Sequence, residues 1–265
     1  MNTIAGHVVD VVARQIRKGT LYIDGGKIVN FEASDAVPDQ YIIPGFVDAH
    51  IHIESSMMLP SEFARYSLPC GTVACVCDPH EIANVCGIPG VNYMIENGKK
   101  SPLKYYFGAP SCVPATPFDS SGAILDAEAV SKLLERDDIY FLAEMMNYPG
   151  VIEQDEQVHL KLRAAHKHLK PIDGHAPELT GEGLIAYASA GITTDHECMT
   201  IAEAEAKIAL GMKVLIREGS AAKNFDDLLP LLEKYSDEIM FCSDDKHPDD
   251  LIKNGHINTL ARRAV

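Results

Sequence analysis

The fold of this protein is decided by the stretch Ile42-Ile43-Pro44-Gly45-Phe46-Val47-Asp48-Ala49-His50-Ile51-His52. Its first part, residues 42–47, is a continuous apolar run, which is typical of a parallel strand buried on both faces. His50 and His52 follow two residues apart, so on extended backbone both imidazole rings point to the same side. The stretch therefore predicts a buried strand that ends in two histidines able to chelate one metal ion.

Seven more short apolar runs follow, separated by helix-like amphipathic segments, at residues 72–77, 104–107, 139–143, 171–173, 191–194, 212–216 and 238–242. Capping residues support the helices between them, namely Asp126 before 127–136, Thr180 before 181–190 and Thr200 before 204–210. Eight βα units predict an α/β fold, a (β/α)₈ TIM-type barrel over residues 42–265. A doubly wound sheet is the alternative, but no glycine-rich phosphate loop follows the first strand.

The first 41 residues show a different pattern, with short β-prone pieces and no helical period. Residues 8–12, 20–23 and 27–31 are β-prone, and Gly25-Gly26 between the last two is a hairpin signal. We predict that residues 1–41 form a small β-element that precedes the barrel domain.

Composition sets broad limits on function. The 265 residues are 46% hydrophobic and 23% charged, which indicates a packed protein. The net charge of −15 disfavours nucleic-acid and anionic-membrane partners without excluding an uncharged nucleobase. The seven cysteines form no C-x-x-C pair and are expected to be free thiols, a structural zinc cluster being the alternative. With no signal-peptide pattern and no apolar run approaching ~20 residues, a cytoplasmic location is expected.

Metal-binding residue types recur at the ends of the predicted strands, where barrel enzymes place their chemistry. They are His50 and His52 after the first strand, His80 and Glu81 after the second, Glu144 after the fourth, His175 after the fifth, His196 after the sixth, and Asp244 and Asp245 after the eighth. One such residue alone is more often a hydrogen-bonded structural residue or a helix cap. Their recurrence in this order predicts a metal site.

Other histidines fit the site less well. His166 and His168 form a second H-x-H, but they lie in an amphipathic stretch, and residues two apart on a helix do not face each other. We predict that His159, His247 and His256 are surface or loop residues.

The first-strand stretch resembles the signature of the amidohydrolase superfamily, metal-dependent barrels flanked by a small β-sandwich. Residues 53–56, 77–84, 143–147, 174–177 and 243–248 resemble the adenine deaminases within it, and the resemblance spans essentially the whole chain. Chains of that family continue beyond residue 265, so the resemblance implies a chain truncated at its C-terminus. It also implies a binuclear centre that prefers Mn²⁺ or Fe²⁺ to Zn²⁺.

Carried onto this sequence, the resemblance implies that His50 and His52 bind the first metal ion. Glu144 would bridge the two ions, and His175 and His196 would bind the second. Asp244 would contact the first metal ion and shuttle protons, although the sequence leaves the choice between Asp244 and Asp245 open.

The implied reaction is the hydrolysis of adenine to hypoxanthine and ammonia. Glu81 or Glu54 is expected to protonate the purine ring, and His80, Glu81 and Ser55 are expected to bind the substrate. A homo-oligomer is expected. Two alternatives remain open: another binuclear amidohydrolase, such as a cyclic amidase or a different aminohydrolase, and an inactive metal-binding fragment.

Overall fold

The computed structural model describes residues 1–116 and 118–265. In its amino-terminal unit, residues 1–45, four strands form one sheet. The strands are β1 (Asn2–Asp10), β2 (Gln15–Asp24), β3 (Lys27–Ala33) and β4 (Tyr41–Ile42), in the order β3-β2-β1-β4. Gly25 and Gly26 join β2 to β3 with φ of 55° and 76°. Positive φ at both turn residues suits the twist of a two-residue hairpin. The predicted β-element is therefore present.

In the second unit, residues 46–265, the described residues form eight parallel strands. They are β5 (Phe46–Ile51), β6 (Thr72–Cys77), β7 (Lys104–Ala109), β8 (Phe141–Met145), β9 (Ile172–Gly174), β10 (Thr194–Asp195), β11 (Lys213–Arg217) and β12 (Ile239–Cys242). They pair in chain order as β5-β6-β7-β8-β9 and β10-β11-β12. Single parallel bridges join Ile51 to Asp244 and Ile172 to Ile192. The predicted α/β class with a parallel sheet is confirmed.

Helices alternate with these strands. They are α1 (Pro60–Ser67), α2 (His80–Gly98), α3 (Ala127–Leu134), α4 (Tyr148–Ile152), α5 (Glu156–Lys167), α6 (Gly181–Ser189), α7 (Ile201–Ala209), α8 (Phe225–Leu228), α9 (Leu232–Tyr235), α10 (Pro248–Asn254) and α11 (Ile257–Ala264). Asp126 caps α3, and Thr200 caps α7, each accepting a backbone amide of its helix. Thr180 occupies the predicted N-cap position of α6, but its side chain makes no cap hydrogen bond. None of the helices within the described ranges is long and apolar enough to cross a bilayer.

The first parallel strand begins later than the sequence predicts. Ile42 belongs to β4 in the amino-terminal unit, and β5 starts only at Phe46. Pro44 lies between them and lacks the amide that a continuous ladder needs. Within β5, Asp48 pairs with Cys75 and Ile51 with Cys77, a three-against-two irregularity typical of a bulge. The irregularity lies between Asp48 and Ile51, so it includes His50 just before the strand ends.

The core of the second unit covers both faces of its strands. All five residues of β8 are buried, as in a parallel sheet enclosed by helices. All seven cysteines are free thiols, and five of them are buried. Strand β8 also carries Glu144, so that carboxylate is held on one of the most enclosed strands of the fold.

Candidate active site

Six side chains predicted to bind metal come together at the carboxyl ends of the parallel strands. Five of them are buried, and His175 is partly exposed. They are His50 in β5, His52 just after it, Glu144 in β8, His175 after β9, His196 after β10 and Asp244 after β12. They meet because the carboxyl ends of parallel strands lie at one edge.

The first group consists of His50, His52 and Asp244. The Nε2 atoms of the two histidines are 3.1 Å apart, and Oδ1 of Asp244 lies 3.2 Å from Nε2 of His52 and 3.5 Å from Nε2 of His50. Ligand atoms around one cation are about 3 Å apart when each bond is about 2.1 Å long. The three donor atoms therefore have the spacing of a shared cation site.

Hydrogen bonds on the far side of the rings orient both histidines. Nδ1 of His50 is 2.7 Å from a carboxylate oxygen of Asp173, and Nδ1 of His52 is 3.1 Å from the backbone carbonyl of Asp78. These acceptors favour the tautomers protonated at Nδ1, which leaves a lone pair on each Nε2. Two facing lone pairs beside a carboxylate require a positive charge between them, so these residues fit a metal ion.

Glu144 connects this first group to a second one. Its Oε1 is 3.2 Å from Nε2 of His52. Its Oε2 is 2.7 Å from Nδ1 of His175 and 3.4 Å from Nε2 of His196. One carboxylate thus reaches both groups with different oxygens, which is the geometry that a bridging ligand needs.

Electrostatics also favours positive charge at the centre. Burial alone would raise the pKa of Glu144, but hydrogen bonds from His175, His196 and His52 hold that pKa well below its ordinary value. The pKa of Asp244 is likewise lowered by His50 and His52 despite burial. Burial lowers the pKa of His50, yet Asp173 and Asp244 raise it well above 6.5. The carboxylates and histidines of the cluster therefore stabilise each other's charged forms, and bound metal ions could take the place of the protons on the histidines.

Asp244 and Asp245 have different surroundings. The amide of Asp244 donates to the carbonyl of His50 at 2.9 Å, and its own carbonyl accepts from the amide of His52 at 3.2 Å. These bonds hold Asp244 at φ 54°, a left-handed conformation that aspartate tolerates better than most residues. Asp245 instead accepts a hydrogen bond from the hydroxyl of Ser55. The geometry favours Asp244 as the residue that faces the metal ligands.

The two candidate acids carry opposite pKa shifts. Burial, followed by the charge of Glu81, raises the pKa of Glu54 to about 7. Burial acts in the same direction on Glu81, but His52 and His80 bring the pKa of Glu81 below its ordinary value. Oε2 of Glu81 lies 3.4 Å from Nδ1 of His52. Near neutral pH, Glu54 retains a proton for much of the time and Glu81 is ionised.

His80 lies at the edge of the cluster. Its Nδ1 is 3.1 Å from a carboxylate oxygen of Asp78 and 3.4 Å from Oε1 of Glu144. Burial lowers the pKa of His80, but Asp78 outweighs burial and raises it to about 9. His80 therefore combines a fixed orientation with a positive charge.

Two residues of the site, Arg217 and Glu197, are not among the predicted ligands. Nη1 of Arg217 donates to Oδ2 of Asp244 at 2.8 Å, and its guanidinium also forms two hydrogen bonds with Glu197. Glu197 in turn lies 3.5 Å from Nε2 of His196. Arg217 ends β11, so its place at a strand end was the available signal, but arginine is not a residue type that binds metal.

One histidine lies in a loop, as predicted, but not at the surface. His256, expected at the surface, is buried, with Nε2 2.8 Å from a carboxylate oxygen of Asp48 and Nδ1 2.7 Å from the hydroxyl of Thr72. It immediately precedes α11, which packs against β5, and only that packing decides its burial. His166 lies on α5, where its Nε2 is 2.9 Å from the carbonyl of Ala190.

A sequence model described as the amidohydrolase family matches residues 41–265. The chain belongs to this family. It is 56% identical over 263 residues to an adenine deaminase of Salinibacter ruber, covering 99% of this chain and 48% of that protein. It is 57% identical over 263 residues to an adenine deaminase of Methanosarcina mazei, covering 99% of this chain and 47% of that protein. This amidohydrolase thus spans about half the length of the curated relatives it matches.

Among solved structures, an N-acetylglucosamine-6-phosphate deacetylase from Pasteurella multocida aligns with a TM-score of 0.60 at 14% identity. The alignment covers 91% of this chain and 71% of that one. At this identity the likeness shows a shared fold and carries no information about the substrate.

Proposed function

We propose that this amidohydrolase catalyses the hydrolytic deamination of adenine, in which adenine and water give hypoxanthine and ammonia. The observation that carries the proposal is the cluster in which Glu144 reaches both groups of histidines. The substrate is inferred from the two adenine deaminases to which the chain is more than half identical.

The donor set fits two divalent ions. His50, His52 and Asp244 would hold one, His175 and His196 the other, and Glu144 both. When bound, such ions lower the pKa of a water molecule and make it a nucleophile at neutral pH. The family resemblance favours Mn²⁺ or Fe²⁺, with Zn²⁺ as the alternative, since imidazole and carboxylate ligands suit all three ions.

Asp244 is the proposed proton shuttle. Arg217 holds its Oδ2, while Oδ1 faces His50 and His52. This arrangement leaves Oδ1 to accept a proton from the attacking water and to deliver it to the departing amino group, which leaves as ammonia.

A second acid must protonate a ring nitrogen so that negative charge does not build up in the purine. Glu54 is the stronger candidate, because its pKa of about 7 keeps a proton available near neutral pH. Glu81 is ionised and would accept hydrogen bonds from the substrate. His80, anchored through Nδ1 to Asp78, would donate from Nε2. Ser55 donates to Asp245, so its contribution to substrate binding would be indirect.

The proposal also includes a closed barrel and two domains. Closure of β5–β12 into a (β/α)₈ barrel is supported by the bridges Ile51–Asp244 and Ile172–Ile192. The predicted boundary between residues 41 and 42 moves to that between residues 45 and 46: we assign residues 46–265 to this barrel and residues 1–45, which include β4, to part of a small β-sandwich. A homo-oligomer and a cytoplasmic location stay predictions.

The test loads the protein with manganese under anaerobic conditions, measures the metal content, and follows adenine by ultraviolet absorbance together with released ammonia. Hypoxanthine and ammonia in equal amounts would support the proposal, with Asp244→Asn as the matched inactive control. Ring opening of cyclic amides without ammonia release would indicate a cyclic amidase. Two bound metal ions without any turnover of adenine, both here and in a chain extended to the relatives' length, would overturn the adenine assignment.

A further inference from the structure

A cavity of about 270 Å³, separate from the metal cluster, lies among the loops after β11 and β12 and the helices α10 and α11. Five cationic side chains and one carboxylate line it: Lys223, Lys246, Lys253, Arg262, Arg263 and Glu218. None of these residues belongs to the metal cluster described above.

The charge of this cavity is opposite to that of the chain. The whole sequence has 38 acidic residues against 23 lysines and arginines, a net charge of −15. Five cations outnumber the one carboxylate that lines the cavity, although Asp226, Asp249 and Asp250 contact or act on three of them from outside it. This local excess of positive charge attracts anions. The cavity is therefore complementary to a negatively charged ligand.

Existing ion pairs neutralise this region only in part. Glu218 pairs with Lys223 at 3.4 Å and with Arg263 at 3.0 Å. Arg263 also contacts Asp226, and Lys253 contacts Asp249 at 3.7 Å. Asp226 and Asp249 are 86% and 66% exposed, and such surface pairs contribute little to stability. An incoming anion can replace them at small cost.

Lys246 provides the strongest indication. It is 5% exposed, and its ammonium makes one hydrogen bond, to the carbonyl of Glu218 at 3.2 Å. An ammonium has three donors, and buried charges are normally paired. Over residues 1–116 and 118–265, no carboxylate oxygen lies within 4.0 Å of this ammonium, and the same holds for the guanidinium of exposed Arg262. Lys246 and Arg262 therefore form no close ion pair within the described residues, and the charges of Asp250 and Glu218 act on Lys246 only from beyond that distance.

We propose that this cavity binds a phosphate group, carried by inorganic phosphate or by a phosphorylated small molecule. Arg262 and Arg263 supply planar forks that match two phosphate oxygens, and Lys246 and Lys253 act as point charges. The amide of Asn254 and the hydroxyl of Thr259, which also line the cavity, add neutral donors. The proposal is independent of the reaction at the metal cluster.

The test is equilibrium dialysis of labelled inorganic phosphate against metal-free protein, with glycerol phosphate as a second probe. Arg262→Gln and Lys246→Gln are each expected to weaken binding by about tenfold or more, the effect of losing a charge-assisted hydrogen bond. Lys132→Gln is the control, because it removes the same charge from an exposed pair with Glu128 on α3. Arg262 is exposed, so its variant is expected to fold even if Lys246→Gln does not.

Saturable binding of one phosphate per chain that both cavity variants weaken, and the control leaves unchanged, would support the site. Tighter binding of glycerol phosphate would identify a phosphorylated molecule as the ligand, and equal binding would identify free phosphate. The proposal is overturned if phosphate does not bind saturably up to about 10 mM. It is also overturned if Arg262→Gln binds phosphate like the parent, or if Lys132→Gln weakens binding equally.

Discussion

Lys207 offers the sharpest test of what holds the candidate site together. Its side chain is fully buried, and its ammonium contacts the carbonyl of Ala176 at 2.8 Å, Oε1 of Glu203 at 2.9 Å and Oδ1 of Asp195 at 3.2 Å. Ala176 and Asp195 are the chain neighbours of His175 and His196. Replacing Lys207 by methionine keeps an unbranched side chain but removes the charge and the hydrogen bonds that the ammonium donates.

The expected loss follows from these contacts. Removing one partner of a buried ion pair costs about 3–5 kcal/mol, because the remaining charge stays buried without compensation. Asp195 would still accept the backbone amides of Ala176 and Glu197, at 2.9 and 2.7 Å, which places the loss near the lower end. About 3 kcal/mol is a large part of the roughly 5–15 kcal/mol that stabilises a typical domain.

The assay is urea unfolding of the metal-free protein, followed by far-ultraviolet circular dichroism. Lys132→Met is the matched control, since Lys132 pairs with Glu128 at 2.6 Å but both side chains are mostly exposed. We expect the control to unfold like the parent. A loss below about 1 kcal/mol for Lys207→Met, with an unchanged m-value, would refute the reasoning, because it would mean that Asp195 and Glu203 need no buried cation.

Three further predictions concern the cluster. Asp244→Asn should lower kcat for adenine by at least ~10²-fold through loss of proton transfer, and near-normal turnover would exclude Asp244 as the shuttle. Asp173→Asn should weaken Mn²⁺ binding by roughly 10–100-fold, because Asp173 orients the ring of His50; an unchanged affinity in metal titrations would contradict this. The pKa of Glu54 in the folded protein, about 7, lies above its ordinary 4.5, so its stabilising contribution is complete below pH 4.5 and is lost as pH rises through 7. At about 1.4 kcal/mol per unit of pKa shift, the parent should lose roughly 3 kcal/mol of stability relative to Glu54→Gln between pH 4.5 and 7. Urea unfolding of both proteins from pH 4 to 8 measures this difference, and free energies of unfolding that change in parallel with pH would disprove the shift.

Local patterns in the sequence were enough to locate the strands of the second unit. Strand β6 begins and ends where its apolar run does, and the other runs from 104 onward overlap β7–β12. The predicted start of the first strand was wrong, because residues 42–47 are continuously apolar although Ile42 and Phe46 belong to different sheets, on either side of Pro44. Apolar character alone does not distinguish two strands separated by a proline from one.

Some residues of the candidate site could likewise be predicted from the sequence, and others could not. His50, His52, Glu144, His175, His196 and Asp244 could be selected because each stands at a strand end and belongs to a residue type that binds metal. Asp173 was not selected, because its role depends on a contact with His50, 123 residues away along the chain. Arg217 was missed because its contacts with Glu197 and Asp244 span 20 and 27 residues.

By itself, the sequence determined the α/β class and which side chains stand at the carboxyl ends of the strands, since both follow from hydrophobic patterns over a few neighbouring residues. The three-dimensional packing was needed to show that Asp244 lies within 3.5 Å of both His50 and His52, that His256 is buried against Asp48, and that Glu54 and Glu81 have opposite pKa shifts. Each of these depends on atoms brought together by packing, and their burial and charge cannot be read from any short stretch of chain.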